Sequence, residues 1–385
     1  MGRHVGGFWH TFGMARFVEH LGRGLSVAQR MRFSICALGF LAGWIGWGFQ
    51  AQEVPAPKDG TVPTLHVYTN TIQIPVLVLD PQRRPLKKPI AANRFSVSID
   101  SGPWFQATHV RQEGGDPISL SILLDVSGDG ENLMPKIADA IAGLAPDGLH
   151  ARDHVSIYAL DCSLIRSQND EPAESGRLKV AAEQALQSWE IRRLNGDASN
   201  CEQSVHLWDA LEQIVAGLQK LPGRRVILVV SNGRDQGSVR SWNEVRHLAE
   251  ASGVAVFGVT YVPFEAKGVQ SRFLSWSSED PFHSICELSG GMVLLSTTKS
   301  LEFTLQRFVT LVRERYIVEL PRPANATSGV HSQEVRIAKS KDFIRPAGVS
   351  VPIPDPSVLA DPTTVPSDPS RTPVVGTRKP MTIPQ

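Results

Sequence analysis

Three stretches of the chain gather side chains able to do chemistry. Asp125-Val-Ser127-Gly-Asp129-Gly puts three oxygen-bearing side chains on alternate positions of one short segment. That donor type and density suit a hard divalent cation such as Mg²⁺, Mn²⁺ or Ca²⁺. Ser231-Asn232-Gly233-Arg-Asp235-Gln-Gly237-Ser is a second oxygen-rich stretch, and Ser204-Val205-His206-Leu-Trp-Asp209-Ala-Leu a third. A phosphate cradle is the rival for the first stretch, but neither G-x-G-x-x-G nor G-x-x-x-x-G-K-[ST] occurs there, which argues against nucleotide binding. A phosphotransferase nucleophile loop would want a second Asp two residues after the first, where Ser127 stands. His206, His247 and His283 are scattered and have no Ser or Cys partner in a nucleophile motif. Trp104, Trp208 and Trp242 read as core residues rather than ligand platforms. Asn325-Ala-Thr matches a glycosylation acceptor, which counts for little if the source is bacterial.

The elements that must position these residues can be read from apolar spacing. Ile118–Leu124 is an apolar run that ends in Asp125, and Val226–Val230 is another that ends at Ser231. Val155–Leu160, Val254–Val259 and Met292–Leu295 are further strand-length runs. Between them lie helix-spaced sets: Leu133, Ile137, Ile141, Leu144; Leu207, Leu211, Ile214, Val215, Leu218; Val239, Trp242, Val245, Leu248; and Leu301, Leu305, Phe308, Val309, Val312. Nearly continuous apolar strands alternating with helices predict a mostly parallel sheet covered on both faces, a doubly wound α/β domain over residues 114–315. In such a sheet ligands bind beyond the carboxyl ends of the strands, where Asp125 and Ser231-Asn232 fall.

Before that domain, residues 64–113 alternate at period two (Leu65–Tyr68, Ile72–Leu79, Phe95–Ile99, Trp104-Phe105) and predict a small β module that must pack on its neighbour. After it, Arg315–Leu320 and Glu334–Ala338 predict a short β extension over 316–348. Residues 349–385 are rich in Pro, Ser and Thr and read as a disordered tail.

The chain has 385 residues, 42% hydrophobic and 20% charged, which excludes disorder throughout. Its net charge of +1 shows no basic excess for nucleic acid. Residues 1–32 hold five Arg and one Glu, a local +4, so the remainder is mildly acidic at −3. The twenty residues 33–52 carry no charge and follow Arg30 and Arg32 directly, the pattern of a signal peptide or membrane anchor. Arginines on that flank favour keeping the N-terminus in the cytoplasm, with a linker over 53–63 and the rest exported. Of the four cysteines, Cys36 lies in the apolar run, and Cys162, Cys201 and Cys286 lie in the exported body. No metal spacing links them, so one disulfide and one buried free thiol is the plainest count.

Asp-x-Ser-x-Asp at a strand end, Leu207-Trp208-Asp209-Ala-Leu opening a helix, and an apolar strand leading into Asn232-Gly233 together resemble a von Willebrand factor type A domain. With the export signal, the preceding β stretch and a late Gly290-Gly291 followed by Arg313-Glu-Arg-Tyr316, the whole is most similar to the type-A-domain proteins described in acidobacteria, over about residues 64–346. The resemblance implies a metal-ion-dependent adhesion site made of Asp125, Ser127, Asp129, Ser204 and Asn232. It also implies a non-enzymatic, exported or membrane-anchored protein-binding module, with the partner's acidic side chain completing the coordination of Mg²⁺, Mn²⁺ or Ca²⁺. Two positions match the family outright. Asp129 replaces a Ser, Asn232 replaces an Asp, and the family's Thr falls on Val205, or on Ser204 if the loop shifts by one. Asp129 restores the carboxylate that Asn232 removes, so the site is expected to bind weakly or to be vestigial. In the vestigial case the domain is structural, and its polar residues cap helices and turns. Cys162 and Cys201 both fall near this rim and are expected to form a disulfide. A metal-assisted hydrolase on Asp125 and Asp129 is a remote third expectation, because it lacks an identifiable base or leaving-group acid.

Overall fold

The computed structural model describes residues 71–351 apart from 127, 162, 197–205, 236, 264–279, 324–326 and 328, together with residues 360 and 376. The chain divides into two compact units, Met1–Val62 and Pro63–Gln385, and the described residues lie in the second. The expected basic flank, apolar segment and linker (1–32, 33–52 and 53–63) therefore lie outside the described residues. Among those described, no helix is long and apolar enough to cross a membrane.

In chain order the strands and helices are β1 (Thr71–Leu79), β2 (Phe95–Ile99), β3 (Phe105–Gln106), β4 (His109–Gln112), β5 (Ile118–Asp125), α1 (Met134–Ala142), β6 (His154–Leu160), β7 (Leu164–Pro172) and α2 (Ser175–Asn195). They continue with α3 (Leu207–Leu218), β8 (Arg224–Val230), α4 (Trp242–Ala251), β9 (Val254–Tyr261), α5 (Pro281–Leu288), β10 (Val293–Ser296) and α6 (Leu301–Arg313). The last are β11 (Tyr316–Pro321), β12 (Gly329–His331), β13 (Gln333–Ile337), β14 (Phe343–Pro346) and β15 (Val349–Val351).

Strand β5 is buried at all eight positions, so it must lie inside a sheet covered on both faces. It lies in a six-stranded sheet of order β10-β9-β8-β5-β6-β7, parallel except for the edge strand β7. Helices α1, α2 and α6 cover one face, around Leu120, Ile122 and Leu124. Helices α3, α4 and α5 cover the other, around Leu123, Ile227 and Val229. The apolar runs predicted this doubly wound sheet. They did not single out β7, α2 or α5. Helix α2 buries a face built largely of small residues (Ala181, Ala182, Ala185 beside Leu178, Leu186 and Trp189), while Val180, Ile191 and Leu194 are exposed. Apolar residues all round a helix blur the one-stripe signature.

The strands before and after the α/β domain make one body. β1 pairs antiparallel with β11 and β14, and β11 pairs with β4. A second sheet, β13-β2-β3, packs on this one across Ile74, Val76, Val78, Phe95, Val97, Tyr316, Val318 and Ile337. Strands from within the predicted module at 64–113 and the predicted extension at 316–348 thus share both sheets of a single sandwich, into which the α/β domain is inserted between β4 and β11. Of the four strands in residues 71–112, only β2 and β3 pair with each other; strands from beyond residue 315 join β1 to β4 and close the core. Three local expectations are corrected. The helix expected from Val239 starts at Trp242, and Val239 itself is 91% exposed. Trp104 is 39% exposed under the Arg336 guanidinium rather than in the core. Residues 349–351, expected to begin the disordered tail, form β15 against β12.

Arginines at the junction hold the insertion in place. Arg315 donates through Nε and Nη2 to Glu113 at 2.8 and 2.9 Å, and both side chains are buried. Arg313 pairs with the buried Asp153 and donates to the carbonyl of Asp116 at 2.8 Å. Asp153 in turn accepts the backbone N–H of Ile118, at the start of β5, at 3.0 Å.

Candidate functional site

The chain leaves β5 for β6 and β7 on one side, then returns to lay β8, β9 and β10 on the other. The crevice between the carboxyl ends of β5 and β8 is therefore the switch point of the sheet, the place where open α/β sheets bind ligands. Asp125 ends β5 with only 1% of its surface exposed, and Ser231-Asn232 follow β8 directly.

These residues meet as follows. The Ser231 hydroxyl donates to Asp125 Oδ2 at 2.6 Å and accepts the N–H of Gly233 at 2.9 Å. The short hydroxyl–carboxylate bond is of the charge-assisted kind. The Ser231 carbonyl accepts from the Thr260 hydroxyl at 3.0 Å, which fixes the end of β8 on β9. Asn232 Oδ1 accepts the N–H of Arg234 at 2.9 Å, an Asx turn that Gly233 completes at φ +76°. Gly130 lies against this pair: a Cβ there would be 2.8 Å from the Asp125 carbonyl oxygen and 3.7 Å from Ser231 Cα. The loop after β5 therefore touches the loop after β8, and its own tight turn back onto the Asp125 carbonyl is what calls for glycine at 130.

A second set of bonds ties the β8 loop to the start of α3. Ser238 donates to Asp235 Oδ1 at 2.6 Å and accepts the N–H groups of Trp208 and Asp209 at 3.2 and 3.3 Å. Asp209 accepts the N–H groups of Val239 and Arg240 at 3.0 and 2.9 Å. The first N–H groups of a helix have no partner within it, and here the neighbouring loop supplies one. The sequence marks Asp209 and Asp235 as polar residues near the site, but it does not show that they brace each other's segments. Ser231 was equally unmarked as the partner of Asp125; its place one residue beyond a buried strand was the available signal.

Of the five expected metal ligands, the structure brings Asp125 and Asn232 to the same crevice. Ser127, Ser204 and the side chain of Asp129 lie outside the described residues, as do Cys162 and Cys201. The turn Gly128–Leu133 precedes α1, whose cap position is Leu133 with no side-chain cap bond. Among the described residues, no three His, Cys, Asp or Glu are grouped to hold a cation. The described donors amount to one carboxylate that already takes a hydroxyl and one neutral amide oxygen that already takes an N–H. On their own they fall short of the roughly six oxygens that Mg²⁺ requires. Cys286 is free and fully buried, and burial pushes its thiol well above the usual range, so it plays no part in chemistry here.

No family model and no curated protein matches the chain. Among solved structures it is similar to proximal thread matrix protein 1 from the mussel byssus, at 10% identity and a TM-score of 0.36 over 52% of this chain and 49% of that one. A form of that protein with a zinc-occupied MIDAS motif matches at 12% identity and the same TM-score, over 52% and 49%. An aerotolerance-related membrane protein from Bacteroides fragilis matches at 14% identity and a TM-score of 0.35, over 50% of this chain and 98% of that one. The pilus adhesin SpaC from Lactobacillus rhamnosus GG matches at 9% and 0.34, over 71% and 49%. The chain thus spans about half the length of the mussel protein. None of these likenesses is close enough for fold or function to pass from one protein to the other.

Proposed function

We propose that this chain is a non-enzymatic, exported or membrane-anchored protein-binding module of the von Willebrand factor type A kind, and that its partner docks at the Asp125 rim of the sheet. The observation that carries this reading is the buried Asp125 carboxylate at the switch point, braced by Ser231, on the adjoining end of β8. Among the described residues, the hydroxyl that reaches that carboxylate is Ser231, fully buried and bonded in the turn, which closes it to the role of a nucleophile. In the metal-assisted form of the proposal, Asp125, Ser127 and Asp129, with Ser204 and Asn232, hold Mg²⁺, Mn²⁺ or Ca²⁺ weakly. An acidic side chain of the partner then completes the shell.

A second, metal-independent reading has its own support. The Asn232 oxygen accepts from Arg234 and the Asp125 carboxylate accepts from Ser231, so both described donors already stabilise the rim. Thermal melts of the full chain in EDTA, then in millimolar Mg²⁺, Mn²⁺ or Ca²⁺, separate the two. A cation at about 100 times its dissociation constant adds roughly 2.7 kcal/mol, a shift of several degrees. We expect the wild type to shift and Asp125→Ala not to. If neither shifts, the metal-independent reading stands, and partner capture should survive EDTA.

A further inference from the structure

At the opposite, amino-terminal end of the parallel sheet, a cavity of about 300 Å³ opens where β1 of the sandwich faces the starts of β8 and β9. Arg224, Arg225 and Arg315 line it, with Thr71, Gln73 and Ser252, and no Asp or Glu is among its described lining. The three guanidinium groups are unequally balanced. Glu113 takes two bonds from Arg315. Arg224 donates to Gln73 Oε1 at 2.8 Å and reaches Asp116 only at 3.4 Å, while Arg111 holds that carboxylate at 2.7 Å. Arg225 gives its Nε to the Leu221 carbonyl at 3.0 Å and its Nη1 to the Ser252 carbonyl at 2.9 Å. No carboxylate among the described residues lies within ion-pair distance of it.

Two fixed carbonyls therefore hold the half-buried Arg225 in one plane and leave its charge uncompensated beside a polar cavity. A planar fork of fixed N–H donors matches the oxygens of a carboxylate or a phosphate. We propose that this cavity binds a small oxyanion, a carboxylate or phosphate group, through Arg225 and Arg224. Its walls come from the sandwich (Thr71, Gln73) and from the α/β domain (Arg224, Arg225, Ser252), so the bound anion stiffens the junction between them.

The test is a set of melts of the full chain at constant ionic strength in chloride, inorganic phosphate and malonate, with calorimetric titration of whichever anion acts. A saturable rise of several degrees at millimolar phosphate or malonate is expected, and the more effective of the two names the group recognised. Arg225→Gln should abolish the rise. Thr71→Glu, an exposed lining position, should abolish it by placing a tethered carboxylate at the mouth without disturbing the core. The proposal is overturned if neither anion gives a saturable rise, or if the rise survives Arg225→Gln. Should Arg225→Gln fail to fold, survival of the rise in Thr71→Glu overturns it equally.

Discussion

Glu113 and Arg315 show how strongly one pair of residues can weigh on this molecule. Both are buried, and each is the other's charge partner across the junction of sandwich and insertion. Removing one partner leaves an uncompensated charge, so Glu113→Gln should cost about 3–5 kcal/mol in chemical denaturation, whereas Glu113→Met with Arg315→Met should recover most of that loss. His331 makes a pH-dependent contribution. Burial disfavours its charge, but the Asp100 carboxylate at 2.6 Å and the Thr327 carbonyl at 2.8 Å outweigh this and raise its pKa above the ordinary value. A group whose folded pKa is raised adds stability in full below its unfolded pKa of about 6.5, and loses it as pH climbs through the folded value. The stability difference between wild type and His331→Gln should therefore shrink between about pH 6 and pH 8. The thiols test the expected disulfide. If Cys162 and Cys201 are paired, unfolding without reductant exposes Cys36 and Cys286 to labelling, and all four label only after reduction.

Single elements depend on contacts that their sequences mark to different degrees. The Gly290-Gly291 pair is conspicuous, and the structure supplies its reason. A Cβ on Gly291 would lie 2.0 Å from the Val256 carbonyl oxygen, and Gly290 has φ +96° with Ala347 against it. Gly291→Ala must push β10 away from β9 and should destabilise by about 1–3 kcal/mol in a denaturant melt. Helix α4 opens with a capping box in which Ser241 and Glu244 each take the other's backbone N–H. Ser241→Ala should cost about 1 kcal/mol. This box is legible as Ser-x-x-Glu, and it shows why the helix begins at Trp242 rather than at Val239, whose N–H is already held by Asp209. Apolar spacing alone extends a helix over any residue that fits the period. It does not register an N–H captured by a carboxylate from another element.

At the scale of the whole molecule, the sandwich depends on strands that come after the insertion. A chain ending at residue 332 loses β13 and β14, and with them one of the two strands that flank each of β2 and β1. Phe95, Val97 and Val78 would then be uncovered, each worth about 1.5–3 kcal/mol when fully buried. Such a truncation should bind a hydrophobic dye strongly and lose its cooperative unfolding transition. The sequence by itself determined the doubly wound α/β domain, because strands buried on both faces must be apolar throughout and helices between them must be apolar on one stripe. It also determined that Asp125 and Asn232 stand at strand ends, since a polar residue that closes an apolar run marks the edge of the sheet. Only the tertiary structure decided that β1 pairs with β11 and β14, that Ser231 holds Asp125, and that three arginines share one cavity. Periodicity records which face of an element is buried. It carries no record of the partner, and these partners lie far apart along the chain.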